Sequence, residues 1–259
     1  MTETKLKRRG FLKVAGAGAA AVVGIQALQK TGSSEHGEEA SPHSWAMVID
    51  LEKCIGCGHC ILACRAHNDI NPEITWNPVY KSEGAEGQHV YISRPCMHCD
   101  DPLCVDVCPV KANYKRPDGI VAMDYDRCIG CRYCEVACPY YARSFNWEAF
   151  DGPTPAVPEW GYPEVPRRPR GVVEKCTLCQ HRIDRGLAND LVPGVDDEAT
   201  PACAVACPMG ARIFGDLNDP DSAVRQALAS QPAHRLREDL STEPRVYYLC
   251  PPELEEVEL

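Results

Sequence analysis

The chain has 259 residues and a formal net charge of −10, the opposite of the bias carried by a nucleic-acid-binding surface. Hydrophobic residues make up 44%, yet only 4 Phe and 5 Met stand against 17 Cys and 22 Pro. Such a balance describes a compact, loop-rich body held in part by bound inorganic centres rather than by a large apolar core.

The N-terminus reads as an address. Arg8 and Arg9 are followed by Gly10, Phe11, Leu12 and Lys13, then by a small-residue apolar stretch over 14–28. This is the pattern of a twin-arginine export signal, with a basic, frayed N-terminus as the plainer alternative. The apolar stretch is too short and too rich in Gly and Ala for a membrane span. The signal is either cut near residues 30–40 or kept as an anchor, and 31–44 is a polar linker.

Residues 46–50 and 120–124 are apolar runs ending in Asp50 and Asp124, read as strands that feed cysteine loops. Residues 62–67 and 135–139 read as short helices carrying the last cysteine of their group. A tight turn is expected over 116–119, Arg-Pro-Asp-Gly. Strands are expected over 143–147, 171–174 and 212–214, a helix over 221–230, and a strand or extended tail over 244–249. The Pro- and Gly-rich stretch 150–169 and the stretch 189–200 are insertions. Each either serves a metal centre or a partner, or is a solvated excursion. Residues 253–259 form an acidic, solvated end.

Sixteen cysteines fall into four groups. The first is Cys54, Cys57, Cys60 and Cys64; the second Cys96, Cys99, Cys104 and Cys108; the third Cys128, Cys131, Cys134 and Cys138; the fourth Cys176, Cys179, Cys203 and Cys207. Groups one and three share the spacing C-x2-C-x2-C-x3-C, and a proline follows the last cysteine of groups two, three and four. That run is a ferredoxin signature: three cysteines wrap one [4Fe–4S] cubane, and the fourth points away to ligate the other cluster of a pair. Thiolates are the soft, charged donors that iron–sulfur centres take. Gly56, Gly58 and Gly130 let backbone amides approach such a centre. Zinc sites divide into two C-x2-C pairs or use His, which groups one and three do not, and the repeated spacing argues against a disulfide framework.

Cys96-Met-His-Cys-Asp-Asp-Pro-Leu-Cys-Val-Asp-Val-Cys-Pro109, the run from Cys128 to Pro139, Glu174-Lys-Cys-Thr-Leu-Cys179 and Ala202-Cys-Ala-Val-Ala-Cys-Pro208 together resemble the four-cluster electron-transfer subunits of the dimethyl-sulfoxide reductase family. Such subunits serve polysulfide, tetrathionate and formate-dependent nitrite reductases and the sulfite-reduction-associated complex. The resemblance covers about residues 45–250 and implies an α+β fold of two bacterial ferredoxin-like domains with long loop insertions and an extended C-terminal segment. The implied division is 1–44 signal and linker, 45–93 with 170–215 an outer domain, 94–149 an inner domain, 150–169 an insertion, and 216–259 a C-terminal helix and tail.

It also implies four [4Fe–4S] clusters: one on Cys54, Cys57, Cys60 and Cys207, a second on Cys176, Cys179, Cys203 and Cys64, a third on Cys96, Cys99, Cys104 and Cys138, and a fourth on Cys128, Cys131, Cys134 and Cys108. Arg65, rather than proline, follows Cys64, and no ligand position departs from Cys. The expected role is an electron relay, not an enzyme. Its implied partners are a membrane-embedded quinone-reactive subunit and a molybdopterin catalytic subunit or cytochrome c, at the periplasm or the outer face of the cytoplasmic membrane. The twin-arginine machinery is the partner in export, since it carries folded proteins. A freely diffusing periplasmic carrier is the alternative. His59, His98 and His181 are expected to pack or hydrogen-bond. Lys53, Arg65, Arg94, Arg127, Arg132, Lys175 and Arg182 either offset cluster charge or are ordinary surface. Cys250 stands outside the four groups.

Overall fold

The computed structural model describes residues 40–83, 87 and 89–250; the Arg8–Arg9 signal, the apolar stretch after it, the linker up to residue 39 and the tail at 253–259 lie outside the described residues. In chain order the elements are β1 (Trp45–Asp50), α1 (His59–Asn68), β2 (Val79–Glu83), β3 (His89–Ser93), α2 (Leu103–Asp106), β4 (Asn113–Lys115), β5 (Val121–Met123), α3 (Tyr133–Val136), β6 (Ser144–Phe145), β7 (Val173–Glu174), α4 (Gln180–Leu187), α5 (Ala202–Val205), β8 (Arg212–Asp216), α6 (Ala223–Ser230), β9 (Ala233–His234) and β10 (Val246–Leu249). No helix among the described residues is long and apolar enough to cross a membrane.

The apolar run of β1 is buried along its whole length. It lies inside a four-stranded sheet ordered β8-β1-β10-β9, antiparallel to β8 and parallel to β10. Alternate β1 side chains serve opposite faces. Trp45, Met47 and Ile49 join the main core, together with Cys60, Cys64, Cys96, Cys176, Cys203 and Cys250. Ala46 and Val48 meet Val224 of α6 and Leu249 of β10 on the other side. Ser222 caps α6 by accepting from the Arg225 amide. The stretch 244–249 is therefore an inner strand, not a tail.

The remaining strands form three two-stranded ribbons, β2–β3, β4–β5 and β6–β7. The first of these has no clear signal in the sequence, because Lys81, Ser82 and Glu83 break the apolar alternation of β2. The helix read over 135–139 is the shorter α3, which ends before Cys138. Pro139 disfavours helical geometry at the residue before it. With Arg65 in the corresponding place, α1 continues to Asn68 and carries both Cys60 and Cys64.

The insertion at 150–169 is strapped across α1 and α4. Arg167 grips the Asp69 carboxylate at 3.0 and 2.8 Å, Thr154 donates to the same group, and Trp160 lies 4.6 Å from the His59 ring. Arg168 pairs with buried Glu174 at 2.9 Å. Glu164 collects His67 and Arg182 at 2.5 Å and Arg185 at 2.8 Å. Burial alone would raise the Glu164 carboxyl, but the His67 hydrogen bond and the two guanidinium groups hold it down at about 2, against an ordinary 4.5.

A carboxylate lowered in this way adds stability above its unfolded pKa and loses it as pH falls through the folded one. Glu164→Gln is therefore expected to cost about 1–2 kcal/mol at neutral pH, after allowance for solvent screening. The gap between wild type and variant should hold from about pH 8 down to about 5.5, where the carboxyl is ionised in both states and the acid-labile clusters persist, read by anaerobic denaturant unfolding. No gap across that range would refute the strap's electrostatic basis.

Candidate metal centres

The cysteine loops are shaped by left-handed residues. Gly56 has φ +70° and Gly130 φ +67°; a Cβ on Gly56 would meet the Tyr91 ring at 2.3 Å, and one on Gly130 the Gly171 carbonyl oxygen at 2.1 Å. Gly58 faces open space instead and serves as the left-handed residue before α1.

The loops bring the sixteen cysteines together in four quartets. Cys54, Cys57, Cys60 and Cys207 line one cavity, beside Ser93 and Arg212. Cys64, Cys176, Cys179 and Cys203 are all buried, and Asn68 of α1 donates to Cys64 Sγ at 3.7 Å and Cys179 Sγ at 3.6 Å. Cys96, Cys99, Cys104 and Cys138 line another cavity with Tyr140 and Arg143. Cys108, Cys128, Cys131 and Cys134 line a further one with Asn113 and Val173.

Each quartet takes one cysteine from a different stretch of chain, and the quartets form a series. Cys60 of the first lies in the field of Cys203 of the second, Cys176 of the second in that of Cys96 of the third, and Cys134 of the fourth in that of Cys104 of the third. Cys57 and Cys131, in the first and last quartets, are the exposed members.

The donor set fits an iron–sulfur cluster. The sixteen are free thiols, so none is committed to a disulfide. Among the described residues no three His, Cys, Asp or Glu side chains close on one point tightly enough for a single ion. Each quartet is spread around a volume, which suits a polynuclear centre better than tetrahedral zinc. Burial, reinforced by neighbouring sulfurs, pushes the Cys99 and Cys176 thiols up to about 12 and Cys179 up to about 11. Cys108 goes the other way: burial would raise it, but amides of Asn113, Ala112 and Val110 outweigh that effect. Thiols held protonated by burial become ligands only when iron replaces the protons, so cluster binding and proton release are coupled.

The histidines pack and hydrogen-bond. His98 is fully buried, burial keeps its ring far below its ordinary pKa, and its Nδ1 accepts from the Val121 amide at 3.1 Å. Burial likewise lowers His181 to about 4. Of the cations named from sequence, Lys53 pairs with Asp50, Arg65 and Arg94 donate to backbone carbonyls, Arg132 lies over Phe145 and Trp147, Arg182 joins the Glu164 strap, and Arg127 is exposed. Among the described residues Lys175 and Arg182 are the buried members of this set, Lys175 completely.

Two further buried cations sit beside the cysteines, and the cysteine spacing did not single them out. Arg143 donates to Cys104 Sγ at 2.8 Å, and Arg212 lines the first quartet's cavity. Burial opposes both charges, yet the charge of nearby cysteine sulfurs when deprotonated more than offsets it and raises both guanidinium pKa values. Their signal is a shared six-residue run, Cys138-Pro-Tyr-Tyr-Ala-Arg143 and Cys207-Pro-Met-Gly-Ala-Arg212.

Cysteine quartets that each draw on distant stretches of chain, within an α+β frame, define an iron–sulfur protein of the dicluster ferredoxin-like class. Sequence families described as 4Fe-4S dicluster domains match residues 88–151 and residues 53–112 with 127–211. The iron-sulfur cluster-binding subunit of menaquinone reductase from Nitratidesulfovibrio vulgaris is 46% identical over 226 residues, spanning 79% of this chain and 88% of the relative. A selenate reductase subunit from Mesobacillus selenatarsenatis is 42% identical, over 79% of this chain and 71% of its own. A component of the polysulfide reductase of Wolinella succinogenes is 34% identical, over 78% and 92%. The chain belongs to the iron–sulfur subunits of dimethyl-sulfoxide-reductase-family complexes, which are electron-transfer components rather than catalytic ones.

Proposed function

We propose that this subunit holds four [4Fe–4S] clusters, one on each cysteine quartet. In this reading it relays electrons between a membrane-embedded quinone-reactive subunit and a periplasmic redox partner, either a molybdopterin oxidoreductase or a cytochrome c. The observation that carries the reading is the single series of quartets with exposed Cys57 at one end and exposed Cys131 at the other. A relay needs two accessible ends and a continuous interior. The similarity to a subunit named for menaquinone reductase supports a quinone-linked partner.

The first two quartets would belong to an outer ferredoxin-like domain (45–93 with 170–215) and the last two to an inner one (94–149). Arg8-Arg9 would direct export of the folded, loaded chain to the periplasm or the outer face of the cytoplasmic membrane.

Bound [4Fe–4S] clusters supply one-electron transfer at potentials within roughly −700 to +450 mV. The chain's own residues do the rest. Thiolates fix the centres, Met97, Leu178 and Ile183 keep water out of the core they share with quartet cysteines, and amides such as that of Ala112, 3.2 Å from Cys108 Sγ, donate to sulfur. Anaerobically purified protein is expected to contain about sixteen iron atoms and as many sulfides, with four signals in an EPR-monitored redox titration. About four iron atoms or fewer would sink the assignment. Recovery of the loaded chain in the cytosolic fraction would sink the export reading, and its failure to co-purify with a membrane subunit would favour a freely diffusing carrier.

A further inference from the structure

Among the described residues three cations are buried without a carboxylate partner. Lys175 is 0% exposed, Arg143 4% and Arg212 6%. None of their hydrogen-bond partners is a carboxylate. Lys175 Nζ donates to the carbonyls of Val121 and Cys176, Arg143 to Asn113 Oδ1 at 2.7 Å and Cys104 Sγ at 2.8 Å, and Arg212 to Ser93 Oγ at 2.5 Å and Met47 Sδ at 3.4 Å. Among the described residues Arg212 Nε has no acceptor at all. A buried cation with no counter-charge is strongly unfavourable, so the fold must supply an anion when complete.

Their placement says which. Arg212 lines the first quartet's cavity and faces Cys203, Cys176 and Cys64 of the second. The Lys175 ammonium bridges the carbonyl of Cys176, in the second quartet, to that of Val121, which lines the third cavity. Arg143 bonds a sulfur of the third quartet and an asparagine lining the fourth. Each gap in the series therefore holds one cation. A thiolate-ligated cluster is anionic, and reduction adds a further negative charge; a fixed positive charge beside it favours the reduced state.

Resting on the four-cluster assignment, we propose that Arg212, Lys175 and Arg143 are positioning charges, one in each gap, that raise the reduction potentials of the clusters on either side. Neutralising the middle one affects the two interior clusters and leaves the outer two in place.

The test is an EPR-monitored redox titration of the full, cluster-loaded chain as wild type, Lys175→Gln, Lys175→Arg and Arg212→Gln, with iron counted in each. Lys175→Gln is expected to keep its iron and to disfavour reduction of two clusters by about tenfold, a shift of about 59 mV for one electron. Lys175→Arg should leave both at their wild-type positions. Unchanged potentials in Lys175→Gln overturn the proposal, as does a Lys175→Arg protein that behaves like Lys175→Gln. Should Lys175→Gln lose iron, Arg212→Gln decides through the same shift in the first gap; loss of iron in both neutral variants assigns the cations to folding and also overturns it. A wild type without four signals is a different failure, that of the cluster assignment itself.

Discussion

Removing iron from the anaerobically purified protein is expected to abolish its cooperative unfolding transition. Among the described residues the strands other than β1 run from two to five residues, and three of the four sheets are two-stranded ribbons. Such ribbons are marginal in water unless something else holds them. Five quartet cysteines, Cys60, Cys64, Cys96, Cys176 and Cys203, lie within the main core itself. Without iron, that interior keeps protonated thiols around empty volume, and Lys175, Arg143 and Arg212 keep buried charges with nothing opposite them. Each of these costs stability, set against a net of only about 5–15 kcal/mol for an ordinary domain. Oxidative removal of iron in the presence of a chelator, followed by near-ultraviolet circular dichroism and calorimetry, should show loss of both fixed tertiary signal and heat-absorption peak. An apo chain melting cooperatively within about 5 °C of the loaded one, a difference of only about 1–2 kcal/mol, would show that the polypeptide carries the fold alone.

The parts of this architecture legible in the sequence are those written locally. The buried run of β1, the Arg116–Gly119 turn with its 3.0 Å hydrogen bond, and the helix after Asp221 each follow from a few adjacent residues. The cysteine spacing likewise announces iron–sulfur chemistry. Contacts between distant segments were not legible. Asp69 and Arg167 stand 98 residues apart, so nothing near either one foretells that the Pro-rich insertion is a strap over α1. β10 is short and follows an irregular stretch, and its place beside β1 depends on a parallel pairing across the whole chain. Arg143 and Arg212 were missed for another reason. Attention to charge near the cysteines favours residues close in sequence, whereas these two sit five residues beyond the last cysteine of their groups and return through β6 and β8.

The exchange of cysteines between groups leads to the sharpest test of the site. If each contiguous group held its own cluster, Cys207→Ala would abolish the same signal as Cys176→Ala, and Cys108→Ala the same signal as Cys96→Ala. Under the exchanged assignment, Cys207→Ala instead abolishes the signal lost in Cys54→Ala, and Cys108→Ala the one lost in Cys128→Ala. The geometry behind this is direct: Cys207 lines a cavity with Cys54, Cys57 and Cys60, and Cys108 one with Cys128, Cys131 and Cys134. Cys54, Cys108, Cys128 and Cys207 are all only half-buried, so their loss leaves the central core intact and the variants are expected to fold. Each should lose one of four EPR signals and between about one and four iron atoms, according to whether the damaged centre persists as a three-iron form or falls apart. By contrast Cys64→Ala and Cys176→Ala strike the interior, where each cysteine is buried beside its neighbours, and should also lower the yield of folded protein. A Cys207→Ala protein that keeps the Cys54-dependent signal would refute the exchanged pairing and, with it, the single series of centres on which the relay depends.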